Sequence, residues 1–254
     1  MKAWLDDALA SFPLPEDAEG YLLGRGIQEH RIRDLGIVVW DPSVLVSDAP
    51  DPVFREGDGG KLRGHGRRGE RLAGRICTPI RSPLGSLLGM EARSWNGEKR
   101  VSQYLLPEAK WSPVFIGMTP TTMQKVWDGG TVWVVEGVFD MGAMEHVIPS
   151  EDVALATLRA HVSDRHAEFF RRFCRGWVHM VYDNDETGRR QTHGYVDAVT
   201  HKRRWGALEI LSRVGVHARD ITYRGGKDPG EIWDHGGVEG LRRAFANNIR
   251  ENCT

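Results

Sequence analysis

The feature that most constrains this fold is a change of rhythm at Gly129. From there, short β-branched runs alternate with helical segments, the pattern of a parallel sheet flanked by crossover helices. Thr131-Val132-Trp133-Val134-Val135 is apolar nearly throughout, as a strand covered on both faces must be. Residues 153–157, 177–182 and 220–223 predict three further strands. Between them helices are predicted over 139–146, after a Ser163 N-cap with Ala167, Phe170 and Cys174 on one stripe, over about 187–213 with a break near Gly206, and over 238–248. Trp133 and Trp177 fall in strands and are predicted to be core.

The first half reads differently. Residues 21–27 close a helix on glycine, and 28–35 make a short second one. Residues 75–80 and 86–93 flank Ser82-Pro83-Leu84-Gly85, a tight-turn sequence, so an antiparallel hairpin is predicted there. Between these parts lies a stretch, residues 55–75, dominated by Gly and Arg or Lys and nearly devoid of apolar side chains. It reads either as a solvated loop or as an arm whose Arg63, Arg67, Arg68 and Arg71 track phosphates. Trp95 and Trp111 read as core residues, with base stacking as the alternative.

The chemistry candidates sit where strands end. Glu136-Gly137 follows the first predicted strand, Asp183-Asn184-Asp185 the third, and Asp228-Pro229 lies just past the fourth. Open parallel sheets bind ligands beyond the carboxyl ends of their strands, so these acids are expected on one edge. Asp183 and Asp185 are two apart in extended backbone and leave on the same face. Carboxylates this close repel unless a cation relieves them, and hard oxygen donors without His or Cys favour Mg²⁺ or Mn²⁺. Each motif alone could equally be a turn and helix cap; the ordered set carries the argument.

That set resembles the TOPRIM catalytic core of bacterial DnaG-type DNA primases and their phage relatives. The segments that carry the resemblance are Val134-Val135-Glu136-Gly137-Val138-Phe139-Asp140 and Val181-Tyr182-Asp183-Asn184-Asp185-Glu186-Thr187-Gly188-Arg189, with Tyr21 to Ile27, Ile76 to Ser94, Gln103-Tyr104-Leu105 and Gly226-Lys227-Asp228-Pro229 in family order. It spans about residues 20–235 and implies an α/β fold: a Rossmann-like, mainly parallel TOPRIM domain over 129–235, preceded by a smaller α+β subdomain over 1–128 and followed by a C-terminal helix over 236–254. The implied function is metal-dependent synthesis of short RNA primers from ribonucleoside triphosphates on single-stranded DNA. Asp183, Asp185 and Asp228 would be metal ligands, and Glu136 a further ligand or the general acid or base. Arg25, Arg93, Lys110 and Lys227 would hold triphosphate or template phosphates. Two positions depart from the family: Gly230 stands where a second acid is usual, with Glu231 beside it, and Gln103 stands where a Lys is common. The alternatives are a TOPRIM nuclease or topoisomerase-like fragment, and a non-catalytic module that binds single strands.

Composition narrows the setting. The net charge of −1 names no partner, so nucleic-acid contact must come from local patches. Cys77, Cys174 and Cys253 form no CxxC pair and no histidine pair has metal spacing, so no zinc is expected in these residues. A zinc-bearing partner and a replicative helicase are expected in trans. No run is long enough to span a bilayer, and a cytoplasmic setting without membrane contact is expected.

Overall fold

In the computed structural model, residues 2–41, 72–95, 101–158 and 161–250 are described; the basic Gly-rich segment with Arg63, Arg67, Arg68 and Arg71 lies outside them. Helices α1 (Lys2–Ser11), α2 (Glu16–Gly24) and α3 (Glu29–Leu35) lead into an antiparallel sheet of β1 (Val38–Val39), β2 (Ile76–Arg81), β3 (Leu87–Arg93) and β4 (Val101–Leu105), in that spatial order. The predicted β2–β3 hairpin is present. Its turn closes through Gly85 N–H to Ser82 O at 2.8 Å, with Gly85 at φ 80, a left-handed conformation that glycine adopts without cost.

A 3₁₀ turn (Pro107–Trp111) and α4 (Pro120–Asp128) lead to the parallel sheet: β5 (Val132–Val135), α5 (Val138–Met144), β6 (Val153–Ala156), α6 (Asp164–Phe173), β7 (Val178–Met180), α7 (Glu186–His193), a hairpin of β8 (Tyr195–Val196) and β9 (Arg203–Arg204), α8 (Ala207–Arg213), β10 (Ala218–Asp220), α9 (Pro229–Ala244) and α10 (Ala246–Arg250). The strand order is β10-β7-β5-β6, parallel throughout.

Alternation along the strands builds two layers. Trp133, Val135, Ala154 and Ala156 face a core shared with α2, α3, α5 and the Ile76/Ile80/Leu88 face of the antiparallel sheet. Val132, Val134, Leu155, Val178 and Met180 face Phe169, Phe170 and Leu211 from α6 and α8. Leu5 and Leu9 of α1, with Phe12 just after it, cover Cys77, Leu87 and Met90 on the far side of the antiparallel sheet. Phe115 and Ile116 stitch the two sheets together, bridging to Arg81 of β2 and Ala156 of β6.

Four expectations need correction. The fourth strand is β10, two residues upstream of the prediction, because Ile221 and Tyr223 are buried outside the ladder. The long helix of 187–213 stops at Gly194, and a hairpin follows instead of a continuing helix. The last helix begins at Pro229, with Asp228 as N-cap and Pro at its first turn, and kinks at Gly237 (φ 54). Trp177 is 49% exposed because it precedes β7 at the sheet margin, while Trp133 is fully buried as expected. Of the other two tryptophans, Trp111 is exposed; Trp95 packs partly against the first core and donates to Gly74 O at 2.9 Å.

Candidate active site

The loops after β5, β7 and β10 meet over the carboxyl edge of the sheet. They line a cleft of about 430 Å³ with Glu91, Arg93, Gln103, Glu136, Asp140, Asp183 and Asp228 on its walls. The cleft therefore lies between the parallel sheet and strands β3 and β4 of the antiparallel one.

Local sequence explains each placement. Asp185 is the N-cap of α7, its Oδ1 accepting from Gly188 N–H at 2.9 Å. A Cβ at Gly188 would come within 2.0 Å of the Asp183 carbonyl, so only glycine lets the helix start this close to the acidic loop. Asp228 caps α9 in the same way, accepting from Glu231 N–H at 2.7 Å. The chain before Asp228 is tied to the Asp183 loop: Asn184 N–H donates to Lys227 O at 2.6 Å, and the Tyr223 hydroxyl lies 2.9 Å from Lys227 O and 3.0 Å from Tyr182 O. Glu136 Oε1 accepts from Asp183 N–H at 3.1 Å.

Asp183 and Asp185 converge on one cation. The Lys227 ammonium lies 2.7 Å from Asp183 Oδ2 and 3.4 Å from Asp185 Oδ2. Its charge is held well above the usual lysine range by those bonds, Asp183 first. Burial pushes Asp183 up despite this partner, whereas the Gly188 N–H bond holds Asp185 down. Burial, then the charge of Asp183, raises Glu136 to about 7. The described residues contain no cluster of three His, Cys, Asp or Glu side chains at metal-ligand spacing.

Two acids missed from sequence complete the wall. Asp140, third residue of α5, joins two helix starts: Oδ2 accepts from Gly137 N–H at 3.1 Å and Oδ1 from Gly230 N–H at 3.0 Å. Burial and then the Asp228 charge raise its pKa. The Gly137-x-x-Asp140 spacing, that of a capping box, is the signal that could have found it. Glu91 is buried in β3 between Met90 and Ala92, and no local pattern marks it. At the two departures, Gln103 Nε2 donates to Leu158 O at 2.9 Å, and Glu231 turns back to accept from Lys227 N–H at 2.5 Å. Glu231 is not among the residues that line the cleft.

Arg25 and Arg93 lie over the Phe139 ring, 4.5 and 4.7 Å from its centroid. Arg25 pairs with Asp234 at 3.1 Å and Arg93 with Glu91 at 3.4 Å, yet the buried Nε of each has no partner. Lys110 is not brought to the cleft; its ammonium lies 4.9 Å over Trp111.

Comparison with known proteins gives this geometry a family context. Residues 133–232 match the model of the Toprim-like family. Over 251 residues the chain is 27% identical to a DNA primase of Deinococcus radiodurans, covering 94% of this chain and 41% of that one. The chain is thus similar to a bacterial DNA primase over nearly all of its own length. It spans about two-fifths of this curated relative. Its fold superposes on the E. coli primase catalytic core with a TM-score of 0.68 at 20% identity, covering 99% of this chain and 78% of that one. It superposes on a DnaG primase catalytic domain bound to ssDNA with a TM-score of 0.61 at 19% identity, covering 94% and 76%. The fold is thus that of primase catalytic cores, with the Toprim-like match on the parallel sheet and its carboxyl-edge loops.

Proposed function

We propose that this chain is the catalytic core of a DNA primase, joining ribonucleoside triphosphates into short RNA primers on single-stranded DNA in the cytoplasm. In this reading residues 129–235 form the catalytic domain, residues 1–128 a template-side subdomain, and the part of α9 from 236 onward with α10 a helical end. The observation that carries it is the convergence of Asp183 and Asp185 on one cationic centre, beside Glu136 and Asp228 in a cleft flanked by Arg93.

The donor set fits a divalent cation. Two hard carboxylates already share one positive charge, the Lys227 ammonium, and Mg²⁺ or Mn²⁺ would be held by Asp183 and Asp185 with Asp228 alongside once that ammonium moves aside. When bound, such a metal supplies charge neutralisation for the attacking and leaving oxygens of nucleotidyl transfer. The chain's own groups do the rest. Glu136, with its pKa near 7, suits accepting a proton from the primer 3′-hydroxyl, or serves as a further ligand. Lys227, displaced from the two aspartates, and the partly exposed guanidinium groups of Arg25 and Arg93 suit the phosphates of the incoming nucleotide or template. Lys110, on the surface, suits only a contact outside the cleft. Arg63, Arg67, Arg68 and Arg71 would add template affinity. Initiation draws on a zinc-bearing partner and a replicative helicase in trans.

The experiment is incubation of the purified chain with single-stranded DNA, labelled ribonucleoside triphosphates and Mg²⁺ or Mn²⁺, with and without a preformed dinucleotide. Labelled products, more abundant with the dinucleotide, are expected. Shortened DNA without synthesis would make it a nuclease, and neither product would leave a binding module.

A further inference from the structure

The hairpin that interrupts the expected long helix carries a feature the cleft does not use. From Arg189 to Arg213 there are six Arg or Lys residues against two acids, in a chain whose net charge is −1. His201, Lys202, Arg203, Arg204 and Trp205 are consecutive and all exposed. The hairpin buries little: Val199 at its tip is 89% exposed and Val196 58%, so packing does not account for its presence.

Its shape is nonetheless fixed. Asp197 Oδ1 accepts from Val199 N–H at 3.1 Å and from Thr200 N–H at 2.7 Å, and Asp197 N–H donates to Lys202 O at 3.0 Å. At the base, Gly194 and Gly206 lie against each other; a Cβ on Gly206 would fall 2.2 Å from Gly194 N. Glu209 locks that base through Gly206 N–H at 2.9 Å and an ion pair with Arg203 at 2.5 Å. Arg203 is therefore neutralised and structural. Among the described residues, Lys202, Arg204 and Arg189 make no salt bridge or side-chain hydrogen bond; the Arg204 charge only helps hold the Asp197 carboxyl down. Trp205 is half exposed under the Arg213 guanidinium, 4.5 Å from its ring centroid.

Unpaired cations held on a rigid strand beside an exposed indole match the chemistry of a polyanion with flat, stackable rings. We infer that the β8–β9 hairpin, with the start of α7, binds single-stranded DNA: Lys202, Arg204 and Arg189 contact phosphates, and Trp205 offers a stacking surface for a base. α7 spans about 12 Å at 1.5 Å per residue between the Asp185 cap and the hairpin, and none of these four residues lines the acidic cleft. That this strand is the template rests on the proposed function; the binding itself does not.

The test compares two double variants with the parent chain, using fluorescence anisotropy of a labelled oligothymidylate over a salt series. Lys202→Ala/Arg204→Ala should lower the log–log salt slope by about 1.4, two phosphate contacts at about 0.7 each. Arg33→Ala/Arg242→Ala removes the same charge from α3 and α9 and should leave the slope within about 0.3 of the parent. Trp205→Ala should weaken binding roughly tenfold with the slope unchanged. Since Lys202 and Arg204 are exposed and unpaired, circular dichroism and melting of that variant should match the parent. Equal slopes for the two double variants would overturn the inference. Primer synthesis by the parent chain, assayed separately, tests the function, so the two can fail independently.

Discussion

The two edges of the parallel sheet hold buried ionisable groups in opposite conditions. At the amino edge Asp152 and the Arg31–Glu145 pair are matched. Asp152 accepts from Thr131 N–H at 2.8 Å and Trp133 Nε1–H at 2.9 Å, and Arg31 grips both oxygens of Glu145 at 2.9 and 3.1 Å. At the carboxyl edge Glu136 has one backbone donor, Asp183 and Asp185 share one lysine, and two buried guanidinium nitrogens have no partner. Both edges pay desolvation, but only one is compensated from within the chain. Uncompensated burial is stable only when its cost is small against the whole fold, and it is useful only when a ligand supplies the missing charge. The amino edge holds the molecule together; the carboxyl edge is kept incomplete.

Substitution at the carboxyl edge should have the largest effect, and it should fall on chemistry alone. Glu136→Gln, Asp183→Asn and Asp185→Asn are each expected to reduce primer synthesis by at least tenfold, or more than about 1.4 kcal/mol of barrier. Melting temperature should hold or rise for Glu136→Gln and Asp183→Asn, whose carboxyls burial pushes up, and hold or fall slightly for Asp185→Asn, whose charged form the Gly188 N–H and Lys227 favour. Synthesis is checked by gel assay and melting by calorimetry; more than a tenth of parental activity in either aspartate variant refutes the metal-ligand assignment. Glu136→Gln should also retain nucleotide binding, because a base acts mainly on the transition state.

The amino edge should behave in reverse. Arg31→Met leaves Glu145 buried without its cation and is expected to cost about 3–5 kcal/mol, read from urea unfolding. Activity per folded molecule should be unchanged. Asp152→Ala strands the Trp133 indole N–H and Thr131 N–H, for a cost of about 2–4 kcal/mol. Should either variant lose activity while keeping its stability, the division between the edges would collapse.

This contrast also explains what could be read in the sequence. Strand β5 and the acids at strand ends were legible because a doubly covered strand demands a β-branched run, and such sheets put ligand groups after their strands. Asp140 and Glu91 were not, because one looks like a helix cap and the other lies in an apolar strand. The hairpin after Gly194 escaped because its determinants are non-local: Gly194 against Gly206, and Glu209 reaching back to the base. The start of α9 is legible in Asp228-Pro229 followed by Glu231, an N-cap signature that shares its aspartate with the acidic motif.

The smallest expected effect sharpens the comparison by titrating a matched group. His166 is buried, and burial lowers its pKa to about 4. Ser163 N–H donates to Nδ1 at 3.0 Å, and Nε2 lies 3.1 Å from Val114 N–H and 3.0 Å from Val114 O. A charged ring carries a proton on both nitrogens and so leaves the Ser163 and Val114 N–H groups without a ring acceptor in a dry site. The folded pKa thus lies below the unfolded value of about 6.5, and the fold prefers the neutral ring. Its stabilising contribution is complete above about pH 6.5 and is lost as pH falls toward 4. Between pH 7 and 5 that loss amounts to about 2 kcal/mol, at 1.36 kcal/mol per pH unit below 6.5. Urea midpoints measured across this range should fall in the parent chain. In His166→Gln, which can keep an acceptor and a donor, the same decline should be shallower by that amount. Parallel curves would mean that His166 is not the group that makes this otherwise matched shell sensitive to acid.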